Sequence, residues 1–186
     1  MSTSTTKWVL DPTHSEIGFK IKHLMITNVS GNFNKFEVNA ETVENDFTKA
    51  KINVDIEVES INTNNSQRDQ HLRTADFFEA EKYPNITFRS TKVEKLDDEN
   101  YTISGNLTIK ETTKPVKLEL EYGGITKDPY GNVKAGFSLS GKINRHDFGV
   151  SYNAVLETGG VALGEDIKIH GEIQLVKQMV LEEAAA

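Results

Sequence analysis

The sequence predicts an all-β protein, an eight-stranded antiparallel up-and-down β-barrel with one or two short helices. Three observations lead there. Seven stretches alternate apolar and polar residues, as when Ile17, Phe19 and Ile21 interleave with Glu16, Gly18, Lys20 and Lys22. A period of two marks a strand with one buried and one wet face. The later stretches are joined by short polar turns such as Asp97–Asn100 and Asp128–Asn132, which suit antiparallel neighbours. No long helical pattern separates those strands, which excludes βαβ units. Closure into a barrel removes the free edges that so many strands would otherwise expose.

Residues 1–6 are polar and read as a frayed end, as do residues 181–186. Trp8–Leu10 reads as a short strand closed by Asp11-Pro12, and Ser15–His23 as the second strand. Leu24–Ser30 breaks the alternation and reads as a helical turn. Phe33–Ala40 resumes as a strand, with Phe36 and Val38 out of strict register, as a β-bulge would leave them. Ala50–Glu59 is the clearest strand, with Ile52, Val54, Ile56 and Val58 on one face.

Asn62, Asn64, Asn65 and Ser66 then form a cluster typical of turns and caps. A short helix is expected over Ser66–Thr74, with Ser66 and Asp69 spaced like a loose capping box. Arg68 and Leu72 share a helical face there, and Asp69 and Arg73 stand at i,i+4. Phe77-Phe78 brings a bulky pair out of the helix. After Pro84 the strands return with Ile86, Phe88 and Ser90 on one face. Tyr101–Ile109, Val116–Tyr122, Ala135–Ile143 and Ile167–Leu175 complete the set. Residues 144–163 are irregular and glycine-bearing. No repeat or linker interrupts residues 1–186, which read as one domain of lipocalin-like architecture.

Gly105, Gly141 and Gly171 fall on the apolar register, each with Ile or Leu two residues away on the same face. Such a glycine relieves curvature at a barrel corner. It also leaves room inside a barrel of this size for one bound chain. The expected lining is Ile17, Phe19, Ile21, Phe33, Phe36, Ile86, Phe88, Leu107 and Phe137. A wall of this kind selects a lipid-like ligand, since burial is worth about 0.8 kcal/mol per CH₂. The alternative is that these side chains simply pack one another.

Bulk properties narrow the function. Lys and Arg total 21 against 28 Asp and Glu, a net charge of −7, which argues against nucleic acid or an anionic membrane as the main partner. The absence of cysteine excludes disulfides, thiolate nucleophiles and cysteine metal sites. No run approaches the roughly 20 apolar residues of a membrane span. The opening MSTSTTKW lacks the basic and apolar regions of a signal peptide. A cytoplasmic protein is therefore expected, or a periplasmic one if an export signal has been removed.

Catalytic signatures are missing. Gly136-Phe137-Ser138-Leu139-Ser140 lacks the second glycine of a nucleophile elbow. Gly159-Gly160-Val161-Ala162-Leu163-Gly164 is not a dinucleotide fingerprint, and no long helix follows it. The 5 histidines are His14, His23, His71, His146 and His170, and none pairs at metal-ligand spacing. Neither a metal nor a cofactor is expected. The densest polar cluster is Arg68, Asp69, His71 and Arg73. It reads either as surface ion pairs on a helix or as a polar rim that meets a ligand head group.

Several motifs together resemble one family. Trp8-Val9-Leu10-Asp11-Pro12-Thr13-His14-Ser15-Glu16-Ile17-Gly18-Phe19 is similar to the opening of the YceI family. Ser60-Ile61-Asn62-Thr63, Arg68-Asp69-Gln70-His71-Leu72 and Asp76-Phe77-Phe78 follow in the family's order. So do Tyr83–Ser90, Gly105–Ile109 and Asn144-Arg145-His146-Asp147-Phe148-Gly149. The resemblance runs from Trp8 to about Val176. It implies a lipocalin-like barrel that binds a polyisoprenoid or another amphiphilic lipid, such as a quinone, and that forms a homodimer. It marks His14, Ser15, Arg68, Asp69, His71 and Arg145 as motif positions for a polar rim. The expected function is to carry or store an isoprenoid lipid. The alternatives are an enzyme using His71 or His146 as general base, and a ligand-free interaction module with a solid barrel.

Overall fold

The computed structural model describes residues 4–154, 156 and 162–178. The expectations for the segment around Gly159-Gly160 and for the tail at 181–186 lie outside the described residues. The strands are β1 (Thr5–Leu10), β2 (Glu16–His23), β3 (Thr27–Phe33), β4 (Phe36–Val43), β5 (Asp46–Glu57) and β6 (Ile61–Asn62). They continue as β7 (Asn85–Lys95), β8 (Asn100–Ile109), β9 (Thr112–Lys127), β10 (Val133–Asn144) and β11 (Leu163–Lys177). The helix α1 spans Ser66–Leu72.

The strands close into an eight-staved antiparallel barrel. The hydrogen-bonded order β1-β4-β5-β7-β8-β9-β10-β11 returns to β1 through the pair Val9 and Val176. β2, β3 and β6 prolong the first three staves. β11 pairs with β10 along one edge, and with β2 and then β1 along the other. β3 pairs with β2 and β6.

Each of the first three staves is broken at a similar height. Pro12, which has no N–H to give a ladder, opens a 3-10 turn over Pro12–His14 between β1 and β2. Asn34–Lys35 separates β3 from β4, and a 3-10 turn at Val58–Ser60 separates β5 from β6. The breaks are tied together: Asn34 donates to the Ser60 carbonyl, and Glu57 to the Lys35 carbonyl, both at 3.0 Å.

Several sequence expectations change at this level. Residues 5 and 6 are not frayed; they belong to β1, and Thr6 is buried. Leu24–Ser30 is not a helical turn. Leu24 and Met25 take left-handed backbone angles, φ 53° and 61°, turn a tight hairpin, and β3 begins at Thr27. The register slip at Phe36 is a strand break rather than a bulge. Asn65, not Ser66, caps α1, and Asp69 forms no ion pair with Arg73 because it is buried against Thr63.

The two ends of the barrel differ. One end carries the turns after β4, β7 and β9 and is plugged by rings. Trp8 meets Phe47 at 5.2 Å between centroids, Phe47 meets Phe137 at 4.9 Å, and Phe137 meets Tyr122 at 5.2 Å. The other end carries α1, the Leu24–Ile26 turn and the 3-10 turn Arg145–Phe148.

The space a side chain would take at the inner-face glycines is already occupied by neighbouring atoms. A Cβ at Gly105 would strike the Phe88 ring, and one at Gly141 would strike Leu118. One at Gly171 would crowd the Glu16 carbonyl and Leu139. The reading of these glycines as room for a ligand is therefore overturned. The barrel's empty space lies elsewhere.

Candidate functional site: an apolar cavity beneath the short helix

A cavity of about 310 Å³ occupies the barrel beneath α1. A smaller space of about 130 Å³ lies deeper, toward the aromatic plug. Ile17, Ile56, Leu107 and Ile169 border both. Both belong to the apolar interior of the barrel, with these four hydrocarbon side chains standing at the pinch between them.

The upper wall contains Ile17, Phe19, Ile21, Phe33, Ile86 and Leu107, all expected from the sequence. Phe88 and Phe137 line the deeper space, along with Leu107 and Ile17. Phe36 does not border the upper cavity. It lines an outer cleft of about 1000 Å³ at the stave breaks, a polar, water-facing groove that also holds Ser15, Asn34 and Lys35. Alternation placed the strand residues well, yet Ile143, Ile167 and Ile169 were available by the same rule and were missed. Phe77, Phe78, Val150 and Tyr152 also join the wall. They come from irregular segments, where no periodic signal points inward.

Polar side chains in the upper wall are His23, Thr63, Arg68, His71, Arg145 and Tyr152. A seven-residue helix is too short to hold itself together. Helix α1 is strapped to the barrel instead. Asp69 accepts from the Thr63 backbone N–H at 2.9 Å and from its hydroxyl at 2.5 Å. Arg68 returns to the same residue, Nε to Oγ1 at 2.7 Å and Nη2 to the carbonyl at 2.6 Å. Arg73 donates to the Glu59 carbonyl at 3.0 Å. This fixes His71 at the rim, bonded to Asp76 at 2.8 Å and edge-on to Phe77 and Tyr152.

Arg145 sits deeper, 2% exposed. Asn144 caps the 3-10 turn that carries it, accepting from the His146 N–H at 2.9 Å. Gly149, at φ +75°, reverses the chain in a conformation that favours glycine. The reversal brings the Val150 and Tyr152 carbonyls back to Arg145 Nη1, each at 2.8 Å. Nε donates to the Gly164 carbonyl at 2.8 Å. Burial pushes the guanidinium below its ordinary pKa, and the Glu165 carboxylate opposes that shift.

The expected polar rim is thus divided. Arg68, His71 and Arg145 border the cavity. Asp69 lies beneath the helix as an anchor. His14 and Ser15 belong to the stave break on the side wall, away from this cavity. His14 bonds Asp11 at 2.9 Å, and Ser15 accepts from the Gln174 backbone at 2.9 Å.

The architecture is that of a lipocalin-like barrel, and comparison identifies the family. The YceI-like domain matches residues 8–175, and the chain belongs to that family. A UPF0312 protein of Staphylococcus epidermidis strain RP62A is 42% identical over 170 residues, covering 91% of this chain and 96% of its own. A Campylobacter jejuni YCEI protein of known structure is 39% identical and superposes with a TM-score of 0.72, covering 91% of this chain and 97% of its own. A polyisoprenoid binding domain from Saccharophagus degradans shares the fold, at 13% identity and a TM-score of 0.71, over 92% of this chain and 98% of its own.

Proposed function

We propose that the protein binds an amphiphilic lipid in the barrel lumen, to carry or store it. The observation that carries this reading is the pinched apolar lumen with its polar groups gathered near one end. A cavity of about 310 Å³ falls in the range that accommodates small ligands. Only four side chains, Ile17, Ile56, Leu107 and Ile169, stand between it and further apolar space. The polyisoprenoid-binding relative of the same fold supports a prenyl tail, and a quinone or polyprenyl compound fits that description. The tail occupies the lumen and the head stays near α1.

Mass spectrometry of organic extracts from the purified protein tests this. One class of long-chain amphiphile is expected from the wild type. Phe19→Asp puts a carboxylate into the apolar wall and is expected to retain at least tenfold less, on the roughly 3 kcal/mol or more that an unpaired buried charge costs. Equal lipid content in a folded Phe19→Asp protein contradicts the pocket assignment. The His71–Asp76 pair favours an enzymatic alternative. A reaction whose pH–rate profile vanishes in His71→Ala would establish that alternative instead.

A further inference from the structure

Arg145 holds a hydrogen-bonding capacity that the protein leaves unused. A guanidinium has five N–H donors. Nε and Nη1 donate to the carbonyls of Gly164, Val150 and Tyr152. Nη2 is buried and has no partner among the described residues. A buried donor without a partner is costly, and buried charges are normally paired. No ion pair to Arg145 occurs among the described residues. Glu165 acts on it only through space, while His146 stands 4.0 Å from the Glu165 carboxylate. The cation borders the apolar cavity; of the other polar side chains there, Arg68 already gives Nε and Nη2 to Thr63, and His71 is bonded to Asp76.

We infer that Arg145 is the head-group site of this lumen, and that the ligand carries an anionic oxygen head, a carboxylate or a phosphate, on its apolar chain. The inference rests on the lipid-binding reading and narrows it. A neutral alcohol would supply a hydrogen bond but leave the buried charge uncompensated. An anionic oxygen supplies both, and a bidentate approach to guanidinium is the stronger geometry. Nη2 is buried beneath its neighbours, so a lining side chain moves aside when the head arrives. His71 and Tyr152 border the same space and meet edge-on at 5.0 Å between ring centroids. Both belong to the half-open rim.

The test uses four probes on the delipidated full chain: oleic acid, oleyl alcohol, farnesyl monophosphate and farnesol. Binding of each is measured by calorimetry at neutral pH. Within at least one pair, the wild type is expected to prefer the acid over its alcohol by about tenfold or more, the scale of a hydrogen bond to a charged partner. Preference in the oleyl pair identifies a carboxylate head, and preference in the farnesyl pair a phosphate head. In Arg145→Gln that ratio is expected to fall toward one, and in Arg145→Lys to survive in part.

Equal binding of acid and alcohol to the wild type in both pairs overturns the inference while leaving the lipid-binding reading intact. Failure of all four probes overturns both. A parallel loss of acid and alcohol in Arg145→Gln, with the ratio preserved, shows that the residue only holds its loop and also overturns the inference. Should Arg145→Gln not fold, the side-chain N–H signals of Arg145 in the wild type carry the test: a shift on adding the preferred acid but not its alcohol supports the inference, and no shift overturns it.

Discussion

Trp8 is 1% exposed and donates its indole N–H to Thr42 Oγ1 at 3.0 Å. The hydroxyl in turn donates to the Glu44 carbonyl at 2.6 Å. Thr42→Val keeps the shape and strands the buried indole N–H. A loss of about 1–3 kcal/mol is expected in urea unfolding, the cost of an unsatisfied buried polar group. An unchanged midpoint would show that water reaches the indole. At this scale the sequence was legible where chemistry and pattern coincide. Phe19 and Ile21 fell on the wall because a strand turns alternate residues inward. Asp69 was misread because its spacing to Arg73 fits an ion pair, whereas burial turned it toward Thr63. Nothing local in Asn144–Gly149 reveals that the Arg145 side chain would be surrounded by carbonyls from residues 150, 152 and 164. That depends on how the chain returns after Gly149.

An acid-sensitive contact ties the broken first stave to β10, across the intervening β11. Asp11 sits at the end of β1, caps the 3-10 turn, and meets Lys134 of β10 at 2.7 Å. The hydrogen bond from Lys134 is the largest influence and holds the Asp11 carboxyl well below the usual range; bonds from Thr13 and His14 add to it, against desolvation. A carboxylate whose folded pKa is depressed stabilises the fold fully above its unfolded value of about 3.9. That contribution fades as pH falls from there toward the lowered folded value. Asp11→Asn is therefore expected to be less stable than wild type at pH 7, with the gap closing below about pH 4. A gap that stays constant across acid pH would remove the pair from the stability of the break. The long regular strands β5 and β8–β11 were readable from alternation. The breaks in the first three staves were not, because each is only a few residues long and is held by bonds to its neighbours rather than by its own sequence. Pro12 alone announced one of them.

For the whole molecule, closure decides what alternation leaves open. A period of two says which side chains face inward, and says nothing of whether eight inward faces meet. Here they meet at the aromatic end, where Trp8, Phe47, Phe137 and Tyr122 touch, and stay apart beneath α1. The inner-face glycines pointed to empty space for the wrong reason: each is already filled by a neighbour. The vacancy follows instead from an end whose cover is a short strapped helix and irregular loops, features without periodicity. The molecule also offers a larger competitor for ligands, the outer cleft at the stave breaks, lined by Val9, Leu10 and Phe36 among polar neighbours.

The measurement that separates lumen from cleft is intermolecular nuclear Overhauser contact between a long-chain ligand, isotope-labelled at its terminal methyl, and the methyl groups of the protein. Contacts to Leu107, Ile169 and Ile17 are expected, placing the chain end at the pinch between the two inner spaces. Contacts confined to Val9 and Leu10 on the outer groove would contradict a ligand held inside the barrel.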